Sequence, residues 1–313
     1  MSGFYVNHLK SVTAQKIAPI IEDKFANPVS MTGDGQSVIT FDVPFGGNSN
    51  DYLSAAYAVI RDHPEFFYYE MNIQSSVIGN HVTLRLPLLY TPEEIRIYKT
   101  HLKDAIKKIV SKTDLYRSMW DKERYIFEYL QTHTDYNDKN STHENYNIIG
   151  PLLLGKGVCE GISKAFAVLC HQVGIPCIVV FDDNHMWNMV NIGGNLAHVD
   201  ATWGTKNGSV CDYSYFNITD HEINMDHGKE INCVPTCTND TLGYYYRQGT
   251  LFNTPKELKA YLMKHLMVDR GKLLHIKLKS GNIEQTVDEV AAMIPFGFRY
   301  AYNPKLNTAT INI

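Results

Sequence analysis

The chain has 313 residues, 44% of them hydrophobic and 20% charged, enough to bury one large core or two to three smaller ones. Its 29 Lys and Arg against 33 Asp and Glu give a formal charge of −4, without the basic stripe that a nucleic-acid backbone requires of its partners. No run approaches the roughly 18 apolar residues of a membrane span, and the first ten residues lack the apolar core of a secretory signal. The expectation is a soluble, cytoplasmic chain; export of a trimmed precursor is compatible with the same residues.

In chain order, Ser37 to Val43 alternate like a strand and Tyr52 to Ile60 carry apolar residues at helical spacing. Glu65 to Ile73 and Val82 to Leu88 then read as a hairpin around Gly79-Asn80, which completes a β-α-β-β module. Pro92 opens a long helix through Val110, and Asp121 to Thr132 is a second helix with Tyr125, Ile126, Tyr129 and Leu130 on one face. From Asp135 to Asn147 the composition is that of a surface loop, a candidate wall for a cleft. Near the C-terminus the first pattern recurs. Leu273 to Leu278 is a strand, Thr286 to Met293 a helix, and Phe298 to Tyr302 with Ala309 to Ile313 a hairpin around Asn303-Pro304.

Cys159 is the most informative residue between these modules. It stands in Gly155-Lys156-Gly157-Val158-Cys159-Glu160-Gly161, where glycines give way to a helical stripe of Ile162, Ala165, Phe166, Leu169, Cys170 and Val173. At a helix N-terminus the unpaired N–H groups and the positive end of the dipole favour a thiolate, which is the nucleophilic form. Gly174 supplies the helix stop, and Ile175 to Phe181 reads as a strand buried on both faces. Cys170 and Cys177 fall within these apolar surfaces and read as small hydrophobes.

His185 to Ile192 and Leu196 to Trp203 are strand-like on either side of Gly193-Gly194-Asn195. A two-residue turn pairs Ile192 with Asn195, sets Asp200 opposite Trp187 and makes His185 its diagonal neighbour on the same face. A three-residue loop would send Asp200 to the opposite face. His198 reads as structural and Asp182-Asp183-Asn184 as a solvated turn. The six cysteines, Cys159, Cys170, Cys177, Cys211, Cys233 and Cys237, are too few for a disulfide framework in a chain of this length, so free thiols are expected. Cys211, His221, His227, Cys233 and Cys237 crowd one segment but lack the tight pairs of a zinc site, and neither metal nor other cofactor is expected. The glycosylation-type triplets at Asn140, Asn207, Asn217 and Asn239 read as accidental.

These three blocks resemble the transglutaminase-like superfamily. They are Gly157-Val158-Cys159-Glu160-Gly161 with Ser163-Lys164-Ala165-Phe166 and Gly174-Ile175-Pro176, then His185-Met186-Trp187-Asn188-Met189-Val190, and His198-Val199-Asp200-Ala201-Thr202-Trp203. The resemblance is clearest from about Asp121 to Thr205. It implies an α+β, papain-like core, with a nucleophile helix packed on an antiparallel sheet, flanked here by the small β-α-β-β modules. The expected division is 1–90, 91–250 and 251–313. It also implies the roles: Cys159 attacks an amide carbonyl of a peptide or protein, His185 shuttles the proton, and Asp200 orients the imidazole. Water or a primary amine then resolves the thioester. The Cys159 N–H would hold the oxyanion with a second donor that the motifs do not name, Asn145, Tyr146 and Asn147 being candidates. Met186 replaces a common alanine and should narrow the mouth near the base, and no calcium loop is recognisable. The alternative is a non-catalytic binding or scaffold protein on the same fold; following alkylation of Cys159 against pH separates the two.

Overall fold

A computed structural model of the chain describes residues 3–27, 36–42, 46–139, 141–204, 210–228, 234–268, 271–294 and 297–312. By packing, the chain divides into two compact units, Met1–Val179 and Val180–Ile313. The division falls inside the segment expected to be the core. Val43, Asn140, Asn207, Cys233 and Ile313 lie outside the described residues.

The first unit opens with α1 (Phe4–Asn7) and α2 (Val12–Ala26). The expected module follows as β1 (Gln36–Asp42), α3 (Ser49–Asp62), β2 (Gln74–Ile78) and β3 (His81–Pro87). Its antiparallel sheet runs β1-β3-β2. A capping box between Asn48 and Asp51 starts α3, whose Tyr52, Ala55, Ala56 and Val59 are buried. The hairpin at Gly79 is where the sequence places it, but its first strand is Gln74–Ile78 rather than Glu65 to Ile73. The reason is chemical. Phe66, Phe67, Tyr68 and Tyr69 are all buried, a continuous apolar run without strand alternation that meets the sheet only through an isolated bridge from Tyr69 to Leu88, whereas Gln74–Ile78 is a half-exposed strand with little apolar signal.

Next come α4 (Pro92–Val110), with Pro92 in its first turn and a Thr91–Glu94 capping box, and α5 (Met119–His133), capped by Ser118. Short parallel strands β4 (Asp135–Tyr136) and β5 (Lys156–Gly157) then bracket the polar loop, which contains a 3-10 turn at His143–Tyr146 and a wide turn at Gly150–Leu154. The chain then enters α6 (Cys159–Gln172), which ends at Gly174 with a left-handed φ of 79°.

The strand β6 (Cys177–Phe181) leads into the second unit and the sheet order β6-β7-β8-β9, with β7 (Met186–Ile192), β8 (Asn195–Val199) and β9 (Phe216–Ile218). Ile192 pairs with Asn195 and Asn188 with Val199, across a turn whose Gly193 and Gly194 have φ of 62° and 86°. Two left-handed residues are what a two-residue hairpin turn with matching twist demands. After α7 (Asp220–Ile223), α8 (Tyr244–Gln248), β10 (Leu251–Phe252) and α9 (Pro255–Val268), the second module is β11 (Leu273–Leu278), α10 (Ile283–Ala291), β12 (Arg299–Asn303) and β13 (Thr308–Asn312). Its sheet runs β10-β11-β13-β12. The first strand of this module pairs antiparallel with its last, as β1 does with β3. Leu258, Leu262, Ile276, Val287, Val290 and Ile311 form its core.

Candidate active site

Cys159 occupies the first position of α6 and is half-buried. The helix cap is Val158, which makes no side-chain cap bond, so the cap residue leaves the orphan N–H groups of the first turn to other acceptors. Two glycines build this entry. A Cβ on Gly161 would lie 2.2 Å from the Asn145 carbonyl oxygen, and one on Gly150 would lie 2.4 Å from that of Lys156. The polar loop therefore rests directly on the first turn of α6, and Val158 N–H donates to the Asn145 carbonyl at 3.0 Å. The same packing commits the candidate oxyanion donors. Asn145 Nδ2 donates to the Asn137 carbonyl, and Asn147 Nδ2 donates to the Tyr90 hydroxyl and the His143 carbonyl. The Tyr146 side chain is exposed and its hydroxyl lies 3.0 Å from that of Ser141.

In the second unit His185 Nε2 lies 2.8 Å from Asp200 Oδ2. Asp200 sits one residue past β8, its N–H donating to the Tyr215 carbonyl and its Oδ1 accepting the Thr202 N–H at 2.7 Å. The register that the dyad needs is thus present, and the Asp200 side chain is fully buried. Asp182 steadies the approach to His185: its Oδ1 accepts the N–H of Asn184 and of His185, both at 2.7 Å. What reads as a solvated turn is half structural.

The sequence gives no sign of the third member of this cluster. His227, fully buried at its side chain, places Nε2 3.0 Å from the same Asp200 Oδ2 and Nδ1 2.9 Å from Asp226 Oδ1. The Tyr215 hydroxyl donates to the other Asp226 oxygen and accepts from Asn303 Nδ2. Trp203 stacks on the His227 ring at 4.5 Å between centroids, and Gly228 N–H donates to Asp182 Oδ2 at 2.8 Å. His227 stands 27 residues beyond Asp200, and no local spacing links the two; in the sequence it belonged only to the Cys/His-rich segment.

Electrostatics follow from these contacts. Burial pushes the Asp200 carboxyl up, but hydrogen bonds from His185 and His227 outweigh it and hold Asp200 below the usual carboxylate range. Burial pulls His227 down, and its bonds to Asp200 and Asp226 more than compensate, so its pKa rises above the ordinary 6.5. His185, Asp200 and His227 offer two imidazoles and a carboxylate whose ligand atoms lie within 4.8 Å of one another, a set that suits zinc by donor type. The two imidazole–carboxylate distances are, however, those of direct hydrogen bonds, and a cation would have to displace both shared protons.

His198 is buried and structural in its bonding: Trp187 Nε1 donates to its Nδ1 at 3.0 Å, which leaves Nε2–H to face Asp220 Oδ1 at 3.0 Å. Cys237 donates its thiol to the Leu196 carbonyl, and burial pushes that thiol up to about 12, the opposite of a metal-binding thiolate. Cys159, Cys170, Cys177 and Cys237 are free thiols. Asn217 is buried in β9 and closed to a glycan. Among the described residues no helix is long and apolar enough to cross a membrane.

With this geometry in hand, comparison with known proteins finds that residues 104–203 match the transglutaminase-like superfamily model. Among solved structures the chain is similar to a TGase at 14% identity and a TM-score of 0.33, covering 74% of this chain and 69% of that one. It is also similar to a candidate cysteine protease of Cytophaga hutchinsonii at 13% identity and a TM-score of 0.27, covering 56% and 69%. A candidate protease of Parabacteroides distasonis follows at 11% identity and a TM-score of 0.26, covering 42% and 35%. No curated protein matches the chain.

Proposed function

We propose that this chain, whose residues 104–203 match the transglutaminase-like superfamily model, is a cysteine-dependent acyl-transfer enzyme acting on peptide or protein amides, by hydrolysis, deamidation or transfer to a primary amine. The observation that carries the reading is the 2.8 Å bond between His185 and a fully buried Asp200, at the hairpin register where the order nucleophile, base, orienter requires it.

The Cys159 thiolate attacks the amide carbon while first-turn N–H groups of α6 receive the developing oxyanion. Since Asp200 holds Nε2, Nδ1 is the nitrogen of His185 that exchanges protons with the reacting groups. The carbon–nitrogen bond breaks as the imidazolium returns a proton to the departing nitrogen, leaving a thioester and free ammonia or amine. Water or a primary amine then attacks the thioester, His185 takes its proton, and the sulfur leaves as thiolate. Asp200 keeps the imidazole oriented and stabilises its cation. His227 serves Asp200 from the other side, its Nε2 edge on Asp200 and its Nδ1 edge on Asp226, so that the orienting carboxylate stays an anion in a buried setting.

Product masses test the reading. Wild type incubated with glutamine and asparagine peptides, with and without a tagged primary amine, should yield cleaved, deamidated or amine-bearing product that Cys159→Ala does not form. Equal product from both proteins would end the proposal.

A further inference from the structure

Beside the nucleophile helix, the first unit holds a cavity of about 260 Å³. Its floor is aromatic, formed by the buried rings of Phe66 and Phe67 from the segment between α3 and β2. Met71 and Tyr146, two large apolar side chains left 38% and 44% exposed, stand at its rim. The α6 helix supplies one part of its wall through Glu160 and Lys164, and His63, Glu70 and His143 add polar groups to the lining. The α6 pair is closed on itself: Lys164 Nζ lies 2.6 Å from Glu160 Oε1 and also donates to the Tyr146 carbonyl. The α6 wall is therefore charge-neutral as a unit, and together with the Phe66 and Phe67 rings it gives the cavity a face that suits an uncharged guest.

Size and position narrow the guest. The volume falls below the roughly 300–1,000 Å³ of sites that enclose a drug-sized ligand, which fits a single large side chain. Glu160 follows Cys159 directly, and adjacent Cα atoms are about 3.8 Å apart; an extended peptide advances about 3.3 Å per residue. A side chain seated here belongs to a residue within one or two positions of an amide at the Cys159 sulfur. We propose that this cavity is the acyl-donor subsite and takes a bulky apolar or aromatic side chain of a peptide, beside the amide that is attacked. The proposal builds on the reading of Cys159 as nucleophile and gives the N-terminal module a task, the selection of substrate.

The test is binding to the full-length Cys159→Ala protein, which separates recognition from turnover. Blocked glutamine hexapeptides, identical except for Phe, Leu, Ala, Lys or Glu at the positions flanking the glutamine, are titrated by calorimetry. Phe or Leu at one of those positions should bind roughly tenfold or more tighter than Ala, the gain from burying one large side chain. Met71→Trp, placed on the same background to fill the mouth, should erase that preference, while Met71→Ala should keep it. Equal binding of all five peptides, tighter binding of Lys or Glu, or a preference that survives Met71→Trp would overturn the subsite. Turnover of the same peptides by wild type settles the other premise: discrimination in binding without turnover contradicts the nucleophile alone, and turnover without discrimination contradicts the subsite alone.

Discussion

The segment around Cys159 and the cluster around His185 and Asp200 carry two halves of one proposed chemistry and are built on opposite plans. Cys159 is half-buried at the head of a helix, and what holds it is backbone: a carbonyl of the polar loop against Gly161 and a hydrogen bond to Val158. His185 and Asp200 are held by side chains in a buried network that runs on through His227, Asp226 and Tyr215 to Asn303. A nucleophile can thus be removed with little consequence for the fold, whereas the orienting acid cannot, since an unpaired buried charge is costly.

Substitutions sharpen this contrast in descending order of effect. Cys159→Ala should lower amide turnover by at least about 10³-fold, in line with losses on removing a nucleophile, with stability within about 0.5 kcal/mol of wild type by urea unfolding. Asp200→Ala should abolish turnover and also cost about 3–5 kcal/mol, because His185 and His227 lose their shared partner in a dry site; an unchanged urea midpoint would erase the contrast. Gly161→Ala breaks the other half through the backbone. The new methyl meets the Asn145 carbonyl, and a loss of about 1–3 kcal/mol is expected despite the better helix propensity of alanine.

His227→Gln is the mildest and the most diagnostic. The raised pKa of His227 means that its contribution to stability is complete below about 6.5 and is lost as pH climbs through the folded value. Asp200, held low, contributes in the opposite sense, its share being lost only as pH falls below the usual carboxylate range. The melting temperature of wild type should therefore decline above about pH 6.5, and the decline should shrink in His227→Gln, the remainder coming from His63, which its glutamate partners also raise. Turnover should fall roughly tenfold, as for loss of a supporting partner of an orienting group. A decline of undiminished size in the variant would assign it to another group.

Much of this was legible in the sequence where local rules act alone. The α4 boundaries, the two-residue Gly193-Gly194 turn and the β7–β8 pairing follow from proline placement, glycine conformations and a strict two-residue period. Both β-α-β-β patterns are present with the same pairing of first and last strands, although the resemblance of their residues is slight. Legibility failed where burial came from tertiary packing. The aromatic run Phe66 to Tyr69 is apolar enough for a strand yet makes only an isolated bridge, at Tyr69, and Gln74–Ile78 pairs with β3 through backbone with hardly a hydrophobic mark. His227 was out of reach for the same reason. Its partner Asp200 is distant along the chain, and imidazoles in sequence carry no sign of the carboxylates they will meet.

The central claim is that Cys159 and His185 act as one catalytic unit, and a double-mutant cycle on turnover of a glutamine peptide tests it most directly. Cys159→Ala, His185→Ala and the double variant should share nearly the same residual rate, because losing either member already disables the unit. Losses that multiply in the double variant, or a single variant that retains the wild-type rate, would contradict it.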